Sequence, residues 1–268
     1  FEAYFNTPLS PQHYASLPTA LQEHADYLAS LGRRLAFIEQ DRQAGLGHAV
    51  LCAEGWVAGE PFLLMLGDHV FRSDVEAPCA AQIMAAYEAA GTSVMGLAVT
   101  PPEEVSNFGT VGGTWTEDGA LLVIAEFAEK PSLDYAEARL HIEGVADGFL
   151  SFFGLYALNA SVFDHLRHLR DAALRRGEEL QLTDALSLLR HDEPCFGCVV
   201  RGRRFDTGRP EQYLKTLAAF AAPPPAPKRA RRPKKTPRPN PAPGDGPPPT
   251  GTAPPAPGDT PRPPAGKP

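Results

Sequence analysis

The chain has 268 residues, 43% of them apolar, with 25 Lys and Arg against 32 Asp and Glu for a formal charge of −7, which suits one medium-sized soluble domain or two small ones. Its 29 prolines are too many for one globule, and the excess lies in 223–268, which is almost entirely Pro, Ala, Gly, Lys, Arg and Thr, without an aromatic residue, Ile, Leu or Val; such a segment cannot build a core. The four cysteines do not make a disulfide scaffold, no apolar run approaches the ~18 residues that span a bilayer, and residues 1–11 lack the basic start and apolar run of a secretory signal, so a reduced, cytoplasmic setting is expected.

Charge divides the chain at the same place. About +7 sits on 223–268 and about −14 on 1–222. The expected organisation is therefore a globular domain over 1–222 followed by a disordered, basic, Pro-rich tail over 223–268. The basic run Lys228-Arg229-Ala230-Arg231-Arg232-Pro233-Lys234-Lys235 reads as a solvated linker, a contact with an acidic surface or a nuclear address. It has no interleaved aromatic residue for base stacking, so no specific nucleic-acid reader is expected.

Short β-rich runs alternate with helical stretches from about Leu35 onward, the pattern of an α/β fold with a mixed, mostly parallel sheet flanked by helices. Leu35 to Glu39 and Pro61 to Leu66 read as buried strands, with a glycine-opened helix from Leu46 to Ala53 between them. Ala77 to Ala90 reads as a helix ended by Gly91, and Ser93 to Val99 as a strand ended by Pro101 and Pro102. Gly109 to Thr116 and Leu121 to Phe127, separated by Glu117-Asp118-Gly119, form an inserted β-hairpin, because Asp-Gly between alternating runs is a strong turn signal. Phe152 to Leu158 is a further strand, Ala160 to Arg175 and Thr183 to Leu189 are helices, Cys195 to Val200 is a last strand, and Pro210 to Ala221 a last helix.

The chemistry is sought at strand ends, where open α/β sheets bind ligands. Asp68 follows Phe62-Leu63-Leu64-Met65-Leu66-Gly67 and reads either as a turn residue or as a carboxylate aimed out of the sheet to hold a hard cation. Asp206 in Arg203-Arg204-Phe205-Asp206-Thr207-Gly208 stands at a strand-to-helix turn; if the two carboxylates converge they make a magnesium site, and with it a phosphate site. Lys130 in Glu129-Lys130-Pro131 is a candidate phosphate-binding charge or a solvated lysine. Gly45 and Gly47 open a helix, which suits either close approach to a ligand or a tight turn. Cys195 and Cys198 lack a nearby fourth zinc ligand and read as packed strand thiols, and His165 and His168 as surface histidines without an acidic partner.

In order and spacing these pieces resemble the bacterial-type UTP-glucose-1-phosphate uridylyltransferases (UDP-glucose pyrophosphorylases), within the sugar-phosphate nucleotidyltransferases. The resemblance is carried by Gln40 with Gly45-Leu46-Gly47-His48-Ala49-Val50, Leu66-Gly67-Asp68, Val105-Ser106-Asn107-Phe108-Gly109, Glu126-Phe127-Ala128-Glu129-Lys130-Pro131, Gly154-Leu155-Tyr156, Gln181-Leu182-Thr183-Asp184 and Phe205-Asp206-Thr207-Gly208. It implies a Rossmann-like, GT-A-like nucleotidyltransferase fold and uridylyl transfer from UTP to glucose 1-phosphate with Mg²⁺. It further implies that Gln40 and the backbone at Gly45 read the uracil edge, and that Asp68 and Asp206 hold the metal. Glu129 is implied to bind glucose hydroxyls and Lys130 the sugar phosphate, with Lys130 and Asp68 the residues on which catalysis turns, while Gly109 and Gly154 let main chain lie close to the hexose. A homo-oligomer is implied for the complete enzyme.

The family's Gly-x-Gly-Thr-Arg loop and early Lys-Pro motif are not found in Phe1 to Arg34, which resembles a helical mid-domain insertion, so an N-terminally truncated enzyme with exposed sheet edges is expected, unstable or inactive by itself. Two other readings stay open: another sugar-1-phosphate nucleotidyltransferase, using dTTP or a different sugar, and a non-catalytic protein that binds nucleotide sugar or a partner subunit.

Overall fold

The computed structural model of the protein describes residues 2–208 and 210–221. Three helices come first, α1 (Glu2–Asn6), α2 (Pro11–Ser16) and α3 (Thr19–Gly32), followed by α4 (Leu46–Cys52), α5 (Glu54–Val57), β1 (Phe62–Met65), β2 (His69–Ser73), α6 (Cys79–Ala90) and β3 (Val94–Thr100). Then come β4 (Thr110–Trp115), β5 (Leu122–Ala128), α7 (Leu133–Arg139), β6 (Phe149–Leu158), α8 (Val162–Arg176), α9 (Leu182–Asp192), β7 (Phe196–Val199), β8 (Gly202–Asp206) and α10 (Pro210–Ala221). No described helix is long and apolar enough to cross a membrane.

Six strands form one sheet in the order β1-β6-β3-β7-β5-β4, and β2 pairs with β8 in a separate ribbon. Strand β6 is the axis of the sheet, because every one of its ten residues, FLSFFGLYAL, is buried. A strand that is apolar on both faces needs cover on both faces. Phe152, Tyr156 and Leu158 pack into a cluster with Leu166 of α8 and Leu182, Leu186 and Leu189 of α9, while Phe153, Leu155 and Ala157 pack with Cys79 and Ile83 of α6. The period-two alternation of β6 thus assigns one side of the sheet to α8 and α9 and the other to α6.

Local signals set the element ends. Helix α6 stops at Gly91, whose φ of 67° is left-handed and whose amide donates to the Tyr87 carbonyl at 2.8 Å, the C-cap geometry that glycine adopts without steric cost. The β4–β5 hairpin closes as its Asp-Gly turn requires, with Gly119 at φ 68° and Asp118 Oδ1 accepting from Thr116 Oγ1 at 2.7 Å and from the Ala120 amide at 3.0 Å.

Several expectations need correction. Leu35 to Glu39 is not a strand: residues 35–40 are irregular, and Leu35, Phe37 and Ile38 are exposed. An apolar run becomes a strand only where another strand accepts its hydrogen bonds. The sheet is mixed, but antiparallel pairs predominate over parallel ones. Among the described residues only β3 with β7 is parallel, because β6 runs against β1, β3 and β4 and the hairpin adds β5 antiparallel to β7. His165 is not a free surface histidine; its side chain is largely buried and its Nε2 lies 3.2 Å from Asp192 Oδ2, a partner supplied by α9 and therefore invisible in the local sequence. The cysteines are free thiols, Cys195 buried and Cys198 half-buried. The tail from 223 onward lies outside the described residues.

Candidate active site

A cavity of about 290 Å³ opens beyond the carboxyl end of β1, lined among others by Asp68, Gly109, Glu129, Lys130, Gly154 and Asp206. Six positions from five separate sequence segments therefore meet in one place.

Asp68 sits in the tight turn between β1 and β2, and Asp206 ends β8. The antiparallel β2–β8 ribbon sets His69 directly opposite Asp206, which places the two side chains side by side on one face. The turn is tied to the end of β8 by Thr207, whose amide and Oγ1 both donate to the Asp68 carbonyl at 2.7 Å. Asp68, His69 and Asp206 consequently offer three ligand atoms within 4.8 Å of one another. Two carboxylates so arranged suit a hard divalent cation.

Gly154 makes room for this cluster. The ladder between β3 and β6 shifts register between Met95 and Leu97, and opposite the shift Gly154 takes a left-handed φ of 88°, the backbone of a bulge. Any Cβ there would collide with His69 Nδ1. That nitrogen is buried without a hydrogen-bond partner among the described residues. Burial first, and then the Arg204 charge, lower the His69 pKa against the opposite pull of Asp68 and Asp206.

Glu129 and Lys130 follow β5. Thr183 Oγ1 of α9 donates to Glu129 Oε2 at 2.6 Å, and Lys130 Nζ lies 3.9 Å from Glu129 Oε1. Lys130 holds a φ of 44° immediately before Pro131, a left-handed conformation that costs a non-glycine residue ~1–3 kcal/mol and is disfavoured ahead of proline. Gly109 is held short for a different reason: a Cβ on it would lie 2.6 Å from the Phe152 ring and 3.1 Å from Glu129 Oε2.

Gln40 and Gly45 do not line this cavity; their neighbour Leu46 does. The Gln40 amide donates to the Gly45 carbonyl at 3.1 Å and lies 3.2 Å from His48 Nδ1, so it braces the start of α4. Gly45, at φ 96°, is pressed against the Leu180 carbonyl and Glu179, and the neighbouring Gly47 amide donates to that same carbonyl at 2.8 Å.

Reading the sequence missed His69 and Arg204. The Arg204 guanidinium lies 4.1 Å over the Phe108 ring and its Nη1 donates to the Phe152 carbonyl at 2.5 Å. Burial lowers its pKa, with Tyr156, Asp206, Glu104 and Asp68 opposing. Tyr156 is fully buried, and desolvation followed by the Glu129 charge pushes its phenol up, with Arg204 opposing. The only signal was nearness to a candidate aspartate, His69 directly after Asp68 and Arg204 two residues before Asp206.

Residues 13–222 match the family described as Nucleotidyl transferase. The chain is 30% identical over 205 residues to the UTP–glucose-1-phosphate uridylyltransferase of Staphylococcus epidermidis, an alignment covering 76% of this chain and 65% of that protein. It is 36% identical over 172 residues to the UTP–glucose-1-phosphate uridylyltransferase YngB of Bacillus subtilis, covering 64% of this chain and 52% of that one. Among solved structures, the crystal structure of apo UDP-glucose pyrophosphorylase superimposes with a TM-score of 0.68 at 24% identity, over 82% of this chain and 76% of that chain, so the fold is shared. The chain spans 65% or less of the length of the two curated relatives described here. With more than half of its residues inside the matched region, the chain belongs to the nucleotidyl transferase family.

Proposed function

We propose that this site transfers a uridylyl group from UTP to glucose 1-phosphate, giving UDP-glucose and pyrophosphate. The observation that supports it is the meeting of Asp68, Asp206, Glu129, Lys130, Gly109 and Gly154 in one cavity, in a chain related to enzymes named for that reaction.

The reaction is an in-line displacement. A phosphate oxygen of glucose 1-phosphate attacks the α-phosphorus of UTP, the bond to the β-phosphate oxygen breaks, and pyrophosphate leaves with the electron pair. Such transfers are served by positioning and charge neutralisation, without a covalent nucleophile. Lys130 Nζ provides a point charge for the sugar phosphate. Glu129, oriented through Thr183, accepts hydrogen bonds from hexose hydroxyls, and the main chain at Gly109 and Gly154, whose side-chain space is filled by Phe152 and His69, lies close to the hexose. Gln40 and Gly45, next to the cavity through Leu46, present the edge that reads uracil.

Asp68 and Asp206 fit Mg²⁺, because their donors are carboxylate oxygens brought within 4.8 Å of one another. The chemistry such an ion supplies is neutralisation of charge on phosphate oxygens. By the same reading the domain occupies 1–222, the setting is cytoplasmic carbohydrate metabolism, and the complete enzyme is a homo-oligomer.

The test is UDP-glucose binding by calorimetry, with pyrophosphate release from UTP and glucose 1-phosphate measured alongside, for the wild-type chain and for Lys130→Ala. We expect UDP-glucose to bind the wild-type chain and Lys130→Ala to weaken it by about tenfold or more. UDP-glucose binding no tighter than that of ADP-glucose, and unchanged by Lys130→Ala, overturns the proposal.

A further inference from the structure

We infer that His69 is a third ligand in the cation site, which makes that site an O₂N donor set selective for a first-row transition metal such as Mn²⁺ or Co²⁺ over Mg²⁺. The inference rests on the reading of Asp68 and Asp206 as a cation site and goes beyond it in assigning His69 and the metal class.

Three observations carry it. The first is register: His69 faces Asp206 across the β2–β8 ribbon, and Asp68 precedes it in a turn fastened to β8 by Thr207. The three groups are placed by backbone pairing, so their convergence does not depend on the rotamer of a long side chain. The second is the state of the ring. The His69 side chain is 9% exposed, yet it makes no hydrogen bond among the described residues, and its Nδ1 is buried against Gly154 without a partner. A buried polar atom is normally satisfied by protein or water, so the unpartnered Nδ1 is exceptional, and it leaves Nε2 as the nitrogen on the cavity side of a ring that lines the site. The third is direction: the other nitrogen, Nε2, is the one turned to the carboxylates, 3.9 Å from Asp68 Oδ1. The ring itself is held by packing, edge-on to Phe71 at 6.1 Å between centroids, with Gly154 removed to a bare backbone beneath it.

The donor chemistry then sets the preference. Mg²⁺ takes oxygen ligands and dehydrates reluctantly, whereas an imidazole nitrogen favours first-row transition metals. Replacing one oxygen by His69 nitrogen therefore favours Mn²⁺ and Co²⁺ and leaves Mg²⁺ to the two aspartates.

The experiment is a titration of the full chain with Mn²⁺ alone, free metal being read by electron paramagnetic resonance, with Mg²⁺ affinity obtained by competition. Wild type is compared with His69→Ala and Asp68→Asn, and electron spin echo modulation is recorded on the Mn²⁺-loaded wild type for ¹⁴N coupling. We expect His69→Ala to weaken Mn²⁺ by at least about tenfold and Mg²⁺ by less than about threefold, and we expect directly bound ¹⁴N in wild type. The spectroscopic arm needs no variant and so stands even if His69→Ala fails to fold. Absence of ¹⁴N coupling, with Mn²⁺ affinity lost in Asp68→Asn and kept in His69→Ala, overturns the role of His69 and leaves the carboxylate site. Mn²⁺ affinity unchanged in both variants overturns the cation site itself.

Discussion

The imidazole of His69 occupies the space in which a side chain on Gly154 would begin. One residue opens the cavity side of the ribbon and the other lies at a bulge in the central strand, so the sheet and the ribbon are locked together at a point where only glycine fits. Gly154→Ala is therefore expected to fail twice, through its left-handed φ of 88° and through collision with the ring. Loss of ~1–3 kcal/mol from the backbone alone, more with the clash, is to be read in urea denaturation, and a variant within about 0.5 kcal/mol of wild type would contradict the packing described.

Lys130 combines charge with strain. Lys130→Gly removes the left-handed penalty at φ 44° at the cost of a more flexible unfolded chain, for a net gain in stability of ~0.5–1 kcal/mol. It also removes the charge offered to the sugar phosphate. The expected pair of results is a higher melting temperature with glucose 1-phosphate binding weakened by about tenfold or more; improved stability with unaltered binding would mean that the lysine serves the fold alone.

Thr183 acts through Glu129. Its hydroxyl donates to Glu129 Oε2 at 2.6 Å, so Thr183→Val keeps the shape and deletes a hydrogen bond to a charged group, worth ~1.5–3 kcal/mol. As a positioning residue it should raise KM for glucose 1-phosphate about tenfold or more and leave KM for UTP unchanged. Equal effects on both substrates would refute a role confined to the sugar side.

Arg204 is a half-buried cation in the wall of the site. Arg204→Met strips the Phe152 carbonyl of its donor and the Phe108 ring of its stacked guanidinium, an expected loss of ~2–4 kcal/mol in equilibrium unfolding. Arg204→Lys keeps the charge and not the planar fork, and should recover less than half of that loss.

Cys195 reports the core through its pH dependence. Its thiol is 1% exposed, and burial, then the Glu193 charge, push its pKa from 9.0 up to about 12. Below pH 9.0 both states keep the proton. Between 9.0 and about 12 the unfolded chain releases it while the native state retains it, so stability falls as pH rises through that window. Cys195→Ala should flatten this part of the curve, and in the native wild type Cys195 should resist a disulfide reagent at pH 8 that modifies the half-buried Cys52.

The sequence by itself determined the pieces whose causes are local. The β4–β5 hairpin follows from Asp118-Gly119, the end of α6 from Gly91, and β1 from a short apolar run closed by Gly67 and Asp68, because turn and cap geometry are set by the few residues that form them. Glu129, Lys130, Gly109, Gly154, Asp68 and Asp206 were legible as candidates because each stands at the end of a strand, at a turn or in a motif. Tertiary structure alone decided which pieces meet. The β2–β8 ribbon joins segments far apart in the chain, and without it neither the placing of His69 beside Asp206 nor that of Arg204 in the same cavity wall can be read. Leu35 to Glu39 shows the converse: its apolar pattern is that of a strand, and it remains irregular because strand formation depends on a hydrogen-bonding neighbour, which no local sequence supplies.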